Sequence, residues 1–227
     1  MQRKSYLNEL QQLRDDALIM ASMVYQQLTD SVEALRHADV ESARQIVAQD
    51  TEINRRRFVM EDDILTVIAT QQPMAGDMRF LAGMLEIISE LERIGDYAKG
   101  IARITQMLGR DSGLTMPPYL SEMCDLALAM LRTSMQAFIA GDVATARTVP
   151  ADDDRVDVLY NRTNLELIQM VMNEPRKMAL ANLFSWAAHN IERTADRATN
   201  ICERTIYMVT GEMREMDRSE EEISGFN

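Results

Sequence analysis

The sequence has 227 residues, and 46% of them are hydrophobic, enough to bury a substantial core. Aromatic residues make up only 5%, which argues against a β-sandwich, while the scarcity of glycine (9) and proline (5) favours helix. The net charge of −12 argues against nucleic acid and bare anionic lipid as partners, although it also serves solubility by itself.

Apolar residues predict six long helices, separated by residues that begin or end helices. Asp39 is a candidate N-cap, and Pro73 separates the second helix from the third. Gly113 and the pair Pro117-Pro118 mark a longer link between the two halves, and Gly211 is expected to end the last helix. The predicted helices cover residues 5–36, 40–71, 75–109, 118–140, 143–172 and 176–211.

Apolar spacing within these helices is three or four residues throughout, which indicates a stripe facing a bundle. The third helix shows it from Leu81 to Ala102 and the sixth from Leu183 to Met208. Long antiparallel helices joined by short turns form bundles. We therefore expect an all-α protein with units at 1–111 and 112–216 and a disordered polar tail at 217–227.

The cellular location is predicted from the absence of a membrane helix and of a signal peptide in the sequence. No apolar run approaches the roughly 18–20 residues of a membrane helix, and the N-terminus is unlike a signal peptide. Cys124 and Cys202 are far apart and are expected to be ordinary buried thiols in a reducing compartment. These features predict a cytoplasmic protein that is not inserted in a membrane.

The two halves of the sequence repeat each other. Six residues of the first half match six of the second at a constant offset of 103, beginning with Ser31 and Ser134. Further along the chain the offset becomes 100, where Glu92 and Asp96 match Glu192 and Asp196. Matches of charged residues in the same order and spacing indicate a duplicated unit. The predicted fold class is therefore two tandem, pseudo-symmetric three-helix bundles.

Pairs of acidic residues are the candidate functional groups. Glu92 and Asp96, like Glu192 and Asp196, are four residues apart and project from one helix face. Two like charges in this arrangement destabilise an isolated helix by about 0.2–0.5 kcal/mol, so each pair needs a compensating partner. Each pair also borders its helix's apolar stripe, so a neighbouring helix can approach it.

The neighbouring helices supply further oxygen ligands. Asp153 and Asp157 lie four apart on the fifth helix, and Asp50 and Asn54 occupy the matching positions of the second helix. Clustered hard oxygen ligands suit Mg²⁺, Ca²⁺, Mn²⁺ or iron. Metal binding is therefore one interpretation, with these eight candidate ligands: Asp50, Asn54, Glu92, Asp96, Asp153, Asp157, Glu192 and Asp196.

Ion pairing is the other interpretation of the same acids. Arg93, Arg193 and Arg197 lie among them and offer partners on the same helices. His189, three residues before Glu192, is expected to pack or cap rather than bind metal, because the first half has serine there. No nucleophile constellation, phosphate-binding glycine loop or nucleotide fingerprint is present, so we predict no enzymatic activity.

Two segments resemble the signatures of a known family. QPMAGDMR at 72–79, continuing to LERIGD at 91–96, and NIERTADRATNI at 190–201 are similar to the paired motifs of PhoU, the accessory protein family of the phosphate-specific transport system. The closing TIYMVTG at 205–211 fits the family's last turn. The chain departs from the family where Asn54 replaces an acid and where Arg197 replaces a frequent histidine.

The resemblance implies a cytoplasmic, often dimeric, negative regulator of the phosphate-starvation response and of phosphate uptake. Such proteins are thought to connect the ATPase subunit of the phosphate ABC transporter with a sensor histidine kinase. Some bind multinuclear metal clusters through the acidic motifs, which implies clusters of divalent or iron-type metal on the residues above. Three alternatives stay open: a metal-handling helical protein, a partner of a different phosphate transporter, and a purely structural dimer.

Overall fold

The computed structural model describes residues 2–109 and 115–213, and this part of the chain is helical with no strand. The first repeat consists of α1 (Gln2–His37), α2 (Val40–Gln71) and α3 (Ala75–Leu108). The second consists of α4 (Pro118–Ala140), α5 (Val143–Ala146), α6 (Pro150–Asn173) and α7 (Met178–Thr210). The all-α fold class is confirmed. Gly113 and the predicted tail at 217–227 lie outside the described residues.

The fifth predicted helix is interrupted, and Pro150 supplies the physical reason. Proline has no N–H group, and its ring collides with the carbonyl one turn earlier in a continuous helix. The chain closes a tight turn instead, in which the Thr148 N–H donates to the Thr145 carbonyl at 3.0 Å. Pro150 then occupies the first turn of α6, where its missing N–H costs nothing. Pro175 likewise opens a 3₁₀ turn, Pro175–Lys177, before α7.

The same capping arrangement begins the second helix of each repeat. The Asp39 carboxylate accepts from the backbone N–H groups of Glu41 and Ser42, as predicted for an N-cap. The Asp142 carboxylate accepts from the Thr145 N–H in the matching position. Gly211 ends α7 with φ of 79°, and its N–H donates to the Tyr207 carbonyl. Repeated caps fix both turns in the same conformation.

Three helices pack together in each repeat, and two contacts join the repeats. Helices α1, α2 and α3 contact one another, as do α4, α6 and α7, while α3 packs along α7 and α1 packs against α4. The main core runs through both repeats and contains most of the predicted stripes of α3 and α7, while Ala102 belongs to a smaller cluster with Ala34, Ala43 and Ile46. At Gly83 on α3 a side chain would overlap Met208 of α7, so this glycine allows close approach.

No helix in the described parts of the chain is both long and apolar enough to cross a membrane.

Candidate functional site

A carboxylate cluster lies between α2 and α3 of the first repeat. Asp50 on α2 is only 1% exposed, although a lone buried carboxylate is costly. The Lys99 ammonium on α3 compensates this charge, because its Nζ lies 2.6 Å from Asp50 Oδ2 and 3.6 Å from Asp96 Oδ1. A lysine therefore bridges acidic residues of two helices.

Amide side chains complete the surroundings of Asp50. Gln27 of α1, which is buried, donates from Nε2 to Asp50 Oδ1 at 3.3 Å. Asn54, one turn along α2, makes a longer contact of 3.5 Å from Nδ2 to Asp50 Oδ2. Gly95 leaves the space for Gln27, because a Cβ there would lie 3.2 Å from Gln27 Oε1. Side chains from all three helices of the first repeat thus contact the single carboxylate of Asp50.

Glu92 lies at the edge of the same cluster. Burial raises the pKa of its carboxyl, and the nearby charges of Asp96 and Asp50 raise that pKa further. The guanidinium of Arg57 on α2 acts in the opposite direction and lowers the pKa of Glu92. The hydrogen bond to Asp50 raises the pKa of Lys99, so its ammonium stays charged at neutral pH. The first cluster, defined as Asp50, Asn54, Glu92, Asp96, Arg57 and Lys99, therefore contains two cations.

The acids of the second repeat that match the first cluster, called here the second cluster, are Asp153 and Asp157 on α6 and Glu192 and Asp196 on α7. Asp153 is buried and the other three are half-buried. Each of the four has at least one polar or electrostatic interaction. Helices α6 and α7 pack against each other, as α2 and α3 do in the first repeat. The repeat therefore brings matching acidic helix faces to matching places in the fold.

The second cluster has no cation at the positions matching Lys99 and Arg57. Thr199 and Tyr160 occupy those positions at the offsets of 100 and 103. Thr199 is 8% exposed, and its Oγ1 has no hydrogen-bond partner within 2–109 and 115–213. Glu192 Oε2 lies 3.6 Å from His189 Nδ1, so the histidine lies beside the cluster. At these two matched positions the first repeat has positively charged side chains, whereas the second has hydroxyl groups.

The donor groups of the two clusters differ in how they fit a metal ion. In the first, the Lys99 ammonium already contacts the oxygens that an ion would need, so the residues present do not fit a metal. In the second, four carboxylates and a threonine hydroxyl are hard oxygen donors suited to a divalent cation. The described residues nevertheless contain no group of three or more His, Cys, Asp or Glu arranged to hold an ion.

The three arginines that were predicted to pair with the acidic residues have different surroundings. Arg197 lies 3.3 Å from Glu90 Oε2 on α3 and 3.9 Å from Asp196 Oδ2, so it joins the two repeats. Arg193 stacks over the Tyr97 ring, and Arg93 is exposed. Ion pairing thus accounts for part of the acidic set, mainly through Lys99, which the sequence reasoning missed. Comparing Lys99 with Thr199 at the known offset would have identified it.

An apolar stripe covers the outer face of α6. Val158, Leu165 and Met172 are 49%, 60% and 76% exposed and are seven residues apart, so they share one face. Ile168, 56% exposed, widens this stripe. The matching residues of α2 are Arg55, Asp62, Leu65 and Ala69, so charged residues interrupt the stripe in the first repeat, although Phe58 and Leu65 are exposed there. We call these four α6 residues the outer stripe.

The buried thiols match the sequence prediction. Cys124 on α4 and Cys202 on α7 are both free and buried. Burial raises the pKa of each thiol to about 12, so neither is a reactive thiolate at neutral pH.

The comparisons with known proteins agree with one another. The model of the PhoU domain family matches residues 17–105 and 120–205. The phosphate-specific transport system accessory protein PhoU homolog of Clostridium acetobutylicum is 31% identical over 96% of this chain and 100% of its own length. The homolog of Aquifex aeolicus is 32% identical over 90% of this chain and 93% of its length.

Two solved structures show the same fold. The crystal structure of PhoU from Pseudomonas aeruginosa superposes with a TM-score of 0.86 at 31% identity and covers 91% of this chain and 100% of that one. The phosphate transport system regulatory protein PhoU from Streptococcus pneumoniae also gives 0.86, at 27% identity, covering 93% and 100%.

Proposed function

The chain belongs to the PhoU domain family, and we propose on that premise that it is a non-catalytic accessory regulator of phosphate transport. It acts in the cytoplasm as an adaptor between the phosphate ABC transporter and a sensor histidine kinase, and keeps the starvation response off when phosphate is plentiful. The names of relatives that match along nearly their full length support the phosphate-transport role. The homodimer implied by the family is part of this proposal and is tested by light scattering of the purified chain.

The observation that carries the adaptor role is the outer stripe on α6. Exposed apolar residues arranged along one face are typical of a surface that binds another protein. The first repeat carries an arginine and an aspartate at two of the matching places, so the same stripe is interrupted by charge on α2, where Leu65 at the place of Ile168 stays apolar and exposed. We assign the outer stripe to the ATPase subunit of the transporter.

Affinity capture from cells grown with ample phosphate tests the assignment. The wild-type chain is expected to recover the transporter's ATPase subunit and a sensor kinase. Leu165→Asp, which introduces the residue of the first repeat, is expected to reduce ATPase recovery more than 10-fold, because a charge must then be buried in the contact. The matched control is Leu65→Asp, which changes a leucine that is 51% exposed on α2 and should leave recovery unchanged.

The outcomes separate the alternatives. Both variants should keep the wild-type melting temperature, because both leucines are exposed. Recovery of neither protein by the wild-type chain would contradict the adaptor role, and recovery of a different phosphate transporter would replace the proposed partner. If Leu165→Asp recovers as much of the ATPase subunit as the wild-type chain does, the outer stripe is not part of the interface.

A cation in the second cluster is a subordinate part of this proposal. Asp153, Asp157, Glu192 and Asp196 would hold it, and its charge would offset the repulsion among the four carboxylates. Support comes from the oxygen-rich donor set and the buried Thr199 hydroxyl. Asp196→Ala is expected to lower the metal content of the purified chain, as measured by elemental analysis.

A further inference from the structure

Lys99 is the residue that distinguishes the two clusters. Its ammonium connects α2 to α3 by contacting Asp50 at 2.6 Å and Asp96 at 3.6 Å. A divalent cation in a carboxylate site performs the same task, neutralising oxygens on two helices and holding the helices together. The difference is that the ammonium is covalently part of the chain.

An entering metal ion would have to displace this ammonium. Two cations 3–4 Å apart repel each other strongly in a partly buried site, where screening by water is weak. Asp50 is also engaged by Gln27 and Asn54, so its two oxygens are already surrounded by donors. Arg57, which pairs with Glu61 at 3.3 Å, is close enough for its positive charge to lower the pKa of Glu92. The charge of the ammonium therefore opposes a metal ion, even though Gln27 Oε1 and Asn54 Oδ1 have no hydrogen-bond partner among the described residues.

At the matching positions of the second repeat, these positive charges and hydrogen-bond donors are absent. Lys99 corresponds to Thr199, Arg57 to Tyr160 and Gln27 to Met130, while the acid at Asp50 is kept as Asp153. The neutral Asn54 corresponds to a further acid, Asp157. These four differences make the first cluster more positive or better supplied with hydrogen-bond donors, or make the second more negative, whereas Arg197, which lies 3.9 Å from Asp196 in the second repeat, corresponds to Tyr97.

We propose that the Lys99 ammonium is a tethered substitute for a metal ion, so that the first repeat is held together without metal. The proposal concerns the residues of the first repeat and stands independently of the adaptor role.

The test compares the full-length wild-type chain with Lys99→Thr, which introduces the residue of the second repeat. Each protein is stripped with EDTA, and its melting temperature and bound Mn²⁺ are measured with and without added Mn²⁺. Lys99→Thr is expected to melt roughly 5–10 °C below wild type in EDTA, to recover most of that loss with Mn²⁺, and to bind about one more Mn²⁺ per chain. The control Lys177→Thr removes a lysine 2.6 Å from Glu174 outside the cluster and should keep the wild-type stoichiometry.

Two further variants keep the test decisive if Lys99→Thr does not fold. Lys99→Arg retains a cation and should match wild type in bound Mn²⁺. Asp96→Ala changes a side chain that is 49% exposed, so it should fold and should leave the wild-type Mn²⁺ content unchanged. A lower Mn²⁺ content in Asp96→Ala, extra Mn²⁺ in Lys99→Arg, or equal stoichiometry in a folded Lys99→Thr would each overturn the proposal.

Discussion

The two repeats have the same helices and acidic motifs but different charges around them. In the first, Lys99 neutralises acids between α2 and α3, the charge of Arg57 acts on Glu92, and Arg55 and Asp62 interrupt the apolar residues on the outer face of α2. In the second, threonine and tyrosine replace these cations, and the outer face of α6 is apolar. A duplicated fold therefore does not imply duplicated function, because a few residues at matched positions change what each half can bind.

The core shows why the difference can be tolerated. Most residues that face the centre of both bundles are apolar and belong to a core that spans both repeats. Positions 99 and 199 lie at the border of that core, where either an ion pair or a small hydroxyl residue can be accommodated. Stability thus depends mainly on the shared positions, and the divergent positions are available for binding.

Outside the two acidic clusters, the largest effect expected at a single position concerns Glu90, which corresponds to Asn190 at the offset of 100. Glu90 accepts from Arg197 and Asn200 at 3.3 Å each, across the α3–α7 contact. Glu90→Ala should cost about 2 kcal/mol, because it leaves a mostly buried guanidinium without its closest partner. The measurement is the free energy of unfolding in urea.

The control for this prediction is Asn190→Ala. Asn190 donates only to the Trp186 carbonyl of its own helix among the described residues, at 2.9 Å. Its removal should change the free energy of unfolding by less than about 0.5 kcal/mol. Equal losses from the two variants would show that the repeats contribute symmetrically to their contact.

Much of the fold was predictable from the sequence because helix patterns are local. The cap at Asp39, the end at Gly211 and the stripes of α3 and α7 were all predicted and are confirmed. The break before Pro150 was missed, although a proline within a predicted helix was a visible signal.

The candidate site was less predictable, because it depends on contacts between helices. Asp50 and Lys99 are 49 residues apart, and only the packing of α2 on α3 shows that they form an ion pair. Sequence spacing pointed to arginines one residue from the acids, whereas the bridging cation lies three residues after Asp96. Metal binding stays a prediction for the second cluster.

A smaller effect is expected at Gly83, which corresponds to Leu183 in the second repeat. Gly83→Ala gains helix propensity, but its methyl group would overlap Met208 Cγ and lie 2.6 Å from Met208 Sδ. The net cost should be about 1–1.5 kcal/mol, because Met208 must move out of a packed contact.

Two variants check the cause of this cost. Combining Gly83→Ala with Met208→Ala should cost less than the sum of the two single changes, because the overlap is gone. Gly76→Ala, where no atom lies within 4 Å of the new methyl group, should be neutral or stabilising. Additive losses in the double variant would exclude the overlap as the explanation.

The smallest effects are expected at the matched caps. Asp39→Ala should cost about 1 kcal/mol, because Asp39 caps the 32-residue α2 through two backbone N–H groups. Asp142→Ala should cost less, because Asp142 caps only the four residues of α5 before the chain breaks at Pro150. Urea unfolding of both variants at neutral pH measures the difference, and a larger loss at Asp142 would contradict it.

The Asp142 effect should also depend on pH in a defined direction. Its hydrogen bonds with the Thr145 hydroxyl and backbone N–H lower the pKa of the carboxyl below the ordinary aspartate value. Because this pKa is lower in the folded state than in the unfolded state, the ionised carboxylate stabilises the fold at pH values above the ordinary aspartate pKa. This stability is lost as the pH falls through the lowered pKa of the folded state. The gap between wild type and Asp142→Ala should therefore be greatest at neutral pH and close in acid. Asp142→Asn, which keeps an acceptor but cannot titrate, should show no such closing, and a gap that persists in acid would mean that the charge of Asp142 contributes nothing to this turn.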